Sequence, residues 1–293
     1  MELSWIMKLR IAAAAAVGII LVGILACPEV VSSEMVYSQA RSNAAILLAL
    51  AFLAGVIAYF VSWPYGLEIG VLAVPFGLTV WALRSGSMAS LIQLNPSVAQ
   101  RQSLLAAIRW EPIFWLVILA AGFAGVLLAR SLVPSRKPES TRRKSDSSPG
   151  KLLNWIIALI ISGLVAYIGI MLVAQDVKMF DNRLGFVVAQ PAAGQISFAV
   201  LVSFGLAAFL VKMFLDVGYI CPIISCFFVV FHACTTYSRP ETLQYIVQTW
   251  PAAVFANSVV CVLPVQMVAF AALGSVAGYW MAIRYSFWRK HEA

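Results

Sequence analysis

Charge is scarce in this sequence. Only 11% of its 293 residues are Asp, Glu, Lys or Arg, against about 25% in ordinary soluble domains, too few to keep a globular surface of this size wet. Histidine occurs twice. The five cysteines (Cys27, Cys221, Cys226, Cys234, Cys261) lie in or beside apolar runs with no CxxC or Cys/His spacing, which argues against a zinc site or a dithiol motif. Cys221 and Cys226 come nearest, but five residues turn a helix by about 140° and send the two thiols to different sides. A Walker loop, H-E-x-x-H, G-x-G-x-x-G and a workable Ser/His/Asp set are also missing. No ATPase, cofactor or metal is expected, and an intramembrane enzyme ranks a distant third among the functional readings.

What the chain has in abundance is apolar surface: 62% of its residues are hydrophobic and the mean hydropathy is +0.92. Hydrocarbon must be the solvent for most of it. The net charge of +8 does not indicate nucleic acid, because the basic residues stand at the ends of apolar runs, where membrane topology places them. A spanning helix needs about 20 mostly apolar residues. Eight segments qualify: 11–31, 44–63, 67–83, 112–129, 152–174, 196–215, 218–237 and 254–283. The last is too long for one straight span, and a kink at Pro264 is expected. The expected fold class is therefore all-α, a polytopic transmembrane helix bundle of about eight spans.

With the N-terminus inside, 13 of the 20 Lys and Arg residues fall on the inner side and 7 on the outer, which places both termini in the cytoplasm and the chain in the cell membrane. Eight of the nine tryptophans (Trp5, Trp63, Trp81, Trp110, Trp155, Trp250, Trp280, Trp288) fall near span ends, where indole favours the headgroup layer. Only Trp115 lies deeper. A second reading of the first span treats Lys8, Arg10 and Ile24-Leu-Ala-Cys27 as a lipoprotein-type signal. Glu2 ahead of the basic pair and the apolar run through Val31 favour a retained span.

The stretch 135–150 holds no apolar residue other than proline and glycine and is expected to be disordered. It divides the chain into a first four-helix half (1–131), a basic cytoplasmic linker (132–151) and a second half (152–293). The halves share a pattern. Arg101, Leu104, Ile108, Trp110 and Pro112 parallel Arg239, Leu243, Ile246, Trp250 and Pro251, and Ala120-Ala-Gly-Phe-Ala-Gly125 parallels Ala272-Leu-Gly-Ser-Val-Ala-Gly278. A 4+4 internal repeat is expected, with both copies inserted the same way round.

Two short outer helices should lie at the membrane surface. One follows Asn95-Pro96, a cap with proline at the first position, and presents Val98, Leu105 and Ile108. The other starts with a Ser238/Glu241 capping box and carries a stripe of Leu243, Ile246, Val247 and Trp250 that can dip into lipid.

Polar residues at membrane depth are costly and often functional. The candidates are His232, Lys212, Asp216, Glu68, Gln266 and Asn257, each with a plain structural explanation beside the functional one. Glu68 suits a helix start, Lys212 and Asp216 can pair four residues apart, and His232 can be satisfied by a backbone carbonyl. Gly274-x-x-x-Gly278 and Ala121-x-x-x-Gly125 let helices approach closely. Two functions stand nearly level. One is a permease-like protein for a small solute or lipid, without its own ATPase. The other is a non-catalytic membrane-embedded subunit or scaffold. Partners are the lipid bilayer and either another membrane subunit or a second copy of the chain.

Overall fold

A computed structural model describes residues 5–26, 43–133, 149–175, 177–250 and 254–292. Cys27, most of the basic linker and Pro251 lie outside the described residues. Among those described, eight helical stretches are long and apolar enough to cross a membrane, and the chain is a multi-pass helical membrane protein.

The first span is α1 (Trp5–Gly18), prolonged by a π-helical segment, Ile19–Leu25. The second is α2 (Ala44–Val61). The third is broken. A short α3 (Gly66–Ile69) passes through a 3-10 turn, Gly70–Leu72, into α4 (Ala73–Arg84). Pro75 is the third residue of α4; it has no N–H for the carbonyl of Val71, four residues earlier, which lies in the 3-10 turn. Helices α5 (Met88–Leu94) and α6 (Val98–Ile108) then lead to the fourth span, α7 (Glu111–Leu132). The fifth span, α8 (Pro149–Val173), takes up the last residues of the expected linker. A hairpin, β1 (Lys178–Asp181) and β2 (Gly185–Ala189), joins it to the sixth span, α9 (Ala193–Leu215). The rest comprises the seventh span α10 (Ile220–Tyr237), the helix α11 (Pro240–Thr249), a two-residue strand β3 (Val254–Phe255), and α12 (Pro264–Glu292), which includes the eighth span.

Four expectations need correction. First, the eighth span does not begin at residue 254 and kink at Pro264. Val254 and Phe255 pair with Ala189 and Val188 of β2, and Asn257 Oδ1 accepts from the N–H groups of Val259 and Val260, turning the chain. The helix starts at Pro264, a position that loses no helical hydrogen bond. Second, the caps shift by a residue or two. Ser97 and Gln100 form the capping box of α6, while Asn95 closes α5, a helix absent from the expected scheme. In α11 the proline takes the first helical position, so Arg239 becomes the cap residue and Ser238 donates back to Thr235 O instead. Third, the apolar stripe of α11 does not dip into lipid: Leu243 and Ile246 are buried in the protein core. Fourth, Trp81 is no interfacial anchor. It is buried against Trp115, with ring centres 5.7 Å apart, and its Nε1 donates to Val22 O.

Lipid is as apolar as leucine, so these helices are held by close packing rather than by the hydrophobic effect. Small residues allow it. A Cβ on Gly55 of α2 would sit 2.1 Å from Gly122 O of α7, and one on Gly125 would sit 2.2 Å from Phe52 O. In α12, a Cβ on Gly274 would meet Leu201 O of α9 at 2.2 Å, and one on Gly278 would meet Gly205 O at 1.9 Å. The backbones therefore touch at these points.

Candidate functional site

At one end of the bundle the pieces outside the spans knit into a cap. Its strands form a small antiparallel sheet in the order β1-β2-β3, and α6 packs against α11 and α10. Two glutamines tie this cap to the spans. Gln266, 3% exposed, sits at the third position of α12. Its Oε1 accepts from Leu263 N at 3.1 Å, and its Nε2 donates to Ala82 O and Gly86 O at the end of α4. Gln190, just after β2, accepts from Ala89 N of α5 at 3.1 Å and donates to Cys261 O at 3.2 Å. Each carbonyl oxygen satisfies an N–H at a helix start that has no acceptor within its own helix. Each amide also joins segments about 70 or more residues apart in sequence.

Asp181 is the hub of the cap. Its Oδ1 accepts from the N–H groups of Arg183 (2.9 Å) and Leu184 (2.7 Å), which shapes the hairpin turn. Its Oδ2 accepts from Tyr245 Oη (2.9 Å) and Trp250 Nε1 (3.0 Å), which pins α11 to the hairpin. These donors stabilise the carboxylate, led by the Leu184 N–H, and hold its pKa down at about 2. The same bond pushes the Tyr245 phenol above its ordinary value. Asp181, Gln190 and Glu111 were not singled out from the sequence, and Arg101 only as part of the repeated pattern, although each is built into this end. Arg101 and Glu111 are 8% exposed, and Arg101 Nε donates to Asn95 O at 3.1 Å. Glu111 occupies the first turn of α7, where a negative charge meets the positive end of the helix.

The six polar candidates do not converge. Gln266 is committed to the bonds above. His232 lies on an exposed face of α10, its ring against Tyr167 at 5.7 Å between centres. Asn257 donates from Nδ2 to Tyr167 Oη at 3.4 Å, so Tyr167 touches both. Lys212 and Asp216 form an ion pair at the far end of α9. Asp216 has left the helix in a left-handed conformation (φ 53°), which lets Lys212 reach it despite the unfavourable order. Lys212 also lies 5.2 Å from the Tyr279 ring centre. Glu68 is exposed in the first turn of α3. Of the packing residues, Gly125, Gly274 and Gly278 make the close approaches described above. Gly122 makes a further close approach on α7, and Ala121 beside it packs partly buried against the core.

Beside the hairpin is a cavity of about 170 Å³, between the last turn of α8, the β1–β2 face and residues 256–258. Gln175, Lys178, Asn257 and Ser258 contribute polar groups to its wall; Met171 and Phe186 are among the apolar ones. Neither Gln266 nor His232 lines it. Compared with protein-family models, curated proteins and solved structures, the chain shows no significant similarity to any.

Proposed function

We propose that this chain is a non-catalytic, membrane-embedded subunit or scaffold, built from two like four-helix halves. The observation that carries the reading is Gln266. This polar side chain, one of those that could have lined a solute path between the halves, instead caps the start of its own helix through Oε1 and ties α12 to the end of α4 through Nε2. A permease that rocks one half against the other needs that seam to open, and opening would strip the buried Gln266 amide nitrogen of both its acceptors.

The repeat is supported by matching positions. In each half the second and fourth spans meet backbone to backbone, Gly55 with Gly122 and Gly125 with Phe52 in one, and Gly205 with Gly274 and Gly278 in the other. Pro75 and Pro222 each stand third in the helix of the third span of their half. Four spans per half give both copies one orientation. The distribution of Lys and Arg then puts both termini on the cytoplasmic face of the cell membrane, with the cap outside.

Extraction of the chain with its surrounding lipid, without detergent, followed by mass spectrometry tests the function. A stoichiometric membrane-protein partner is the expected result; recovery of the chain alone would overturn it. Cysteines placed by Ser140→Cys and Asn182→Cys test the topology. The first should react only from the cytosolic side and the second only from outside.

A further inference from the structure

The cavity beside the hairpin has a composition that selects its occupant. Most of the polar groups in its wall are already used. Asn257 Oδ1 accepts from two backbone N–H groups, and its Nδ2 donates to Tyr167. Ser258 Oγ donates to Ile170 O at 3.3 Å. The Gln175 amide nitrogen donates to Met171 O. Lys178 is different. Its ammonium rests 4.0 Å from the centre of the Phe186 ring, a contact with the π face that uses none of its N–H donors in an ordinary hydrogen bond. Among the described residues no hydrogen bond to this ammonium is formed. The other surfaces, Met171, Phe186 and Val188 among them, are apolar.

We infer that this cavity is a binding site for a small anion with an apolar body, a carboxylate or phosphate whose charged end meets Lys178 while the rest lies along Phe186 and Met171. The size agrees. An engineered cavity of about 150 Å³ holds one benzene, so 170 Å³ suits about six to ten non-hydrogen atoms. The hairpin leads through short connections into α8 and α9, both spanning helices. The same chemistry could therefore arrive as a free solute or as the headgroup end of an anionic lipid.

Thermal unfolding of the purified full chain in phosphatidylcholine nanodiscs tests the site, with sodium benzoate as the probe and benzamide as its neutral isostere. Benzoate should raise the unfolding temperature saturably, with benzamide and the Lys178→Gln variant each about two- to fivefold weaker in apparent affinity, the loss expected from one contact with an exposed ammonium. Lys178 is exposed and its replacement leaves the core intact. Ala256→Leu, which fills the cavity, should abolish the effect. If only nanodiscs containing phosphatidylglycerol stabilise the protein, and only with Lys178 present, the anion is a lipid headgroup. The inference fails if benzoate and benzamide act equally, if Lys178→Gln leaves the shift unchanged, or if neither benzoate nor the anionic lipid shifts unfolding.

Discussion

The two halves bridge their spans with different material. In the first, helices α5 and α6 carry the chain from the third span to the fourth, and both are closed by side-chain caps of ordinary design. In the second, α11 has no side-chain cap, and ten residues of strand and turn, 254–263, precede the last helix. All of that stretch except Ala256 and Asn257 is buried. Irregular backbone is tolerated at such depth only where protein satisfies it, and here β2, Asn257, Gln190 and Gln266 do so. In the second half, then, Asn257, Gln190 and Gln266 are engaged in holding an irregular segment that has no counterpart between α6 and α7. Where the halves agree, in the helix pairs α2–α7 and α9–α12, they use glycine and little else.

That agreement can be broken most forcefully at the glycines. Gly278→Val and Gly125→Val should each cost about 3 kcal/mol or prevent recovery of folded protein, because the added atoms must displace a backbone carbonyl. Ala277→Val, on an exposed face of α12, should change little. Gly55 and Gly205 are expected to differ. An added Cβ would lie 2.1 Å from Gly122 O at Gly55 but 3.3 Å from Gly274 O at Gly205. Gly205→Ala should therefore be close to neutral, the small clash offset by a gain in helix propensity of up to about 1 kcal/mol, while Gly55→Ala destabilises. Unfolding midpoints of the five variants in one detergent decide the matter. Equal effects at Gly55 and Gly205 would mean that the two helix pairs are packed more alike than their geometry indicates.

The glutamines come next. Gln266→Leu leaves the fully buried Leu263 N–H without its acceptor and should cost about 1–3 kcal/mol. Gln190→Leu exposes the same kind of orphan at Ala89, which is only half-buried, and should cost less. The reverse order would show that the cap, not the seam between α4 and α12, holds the halves together.

Hydropathy made the eight spans legible, because length and apolar content alone distinguish a crossing helix. Contacts between distant segments were not legible. Residues 254–263 read as helix because they are apolar, yet Val254, Val259, Val260 and Val262 are β-branched, Asn257-Ser258 is a turn pair, and Pro264 is a helix-start signal. Those three marks could have moved the boundary. The hairpin left a fainter trace, Lys-Met-Phe-Asp and Gly-Phe-Val-Val-Ala on either side of Asn182-Arg183-Leu184. The Asp181 hub left none, since its partners Tyr245 and Trp250 lie more than 60 residues away.

Asp181 also gives the cap a pH dependence. Its folded pKa, about 2, lies below the ordinary value of 3.8. The folded state therefore binds fewer protons than the unfolded one between these values, and the stabilisation, present in full above about pH 4, is lost as the pH falls through 2. Wild-type protein should show its unfolding midpoint dropping across that window. Asp181→Asn should start lower and lose that part of the slope. A slope unchanged by the substitution would place the titration elsewhere.

The smallest effect is expected at His232, the residue the sequence makes most conspicuous. It is exposed on α10 and touches Tyr167 by its ring edge only. His232→Ala should move stability by no more than about 0.5 kcal/mol, as exposed substitutions usually do. It should also leave the recovery of any bound partner unchanged. A proton relay makes the opposite forecast: pH-dependent uptake into proteoliposomes that disappears with the imidazole. Such uptake would require a path past Tyr167 toward Asn257, and the second half would then be the working half of a transporter rather than the more elaborate half of a scaffold.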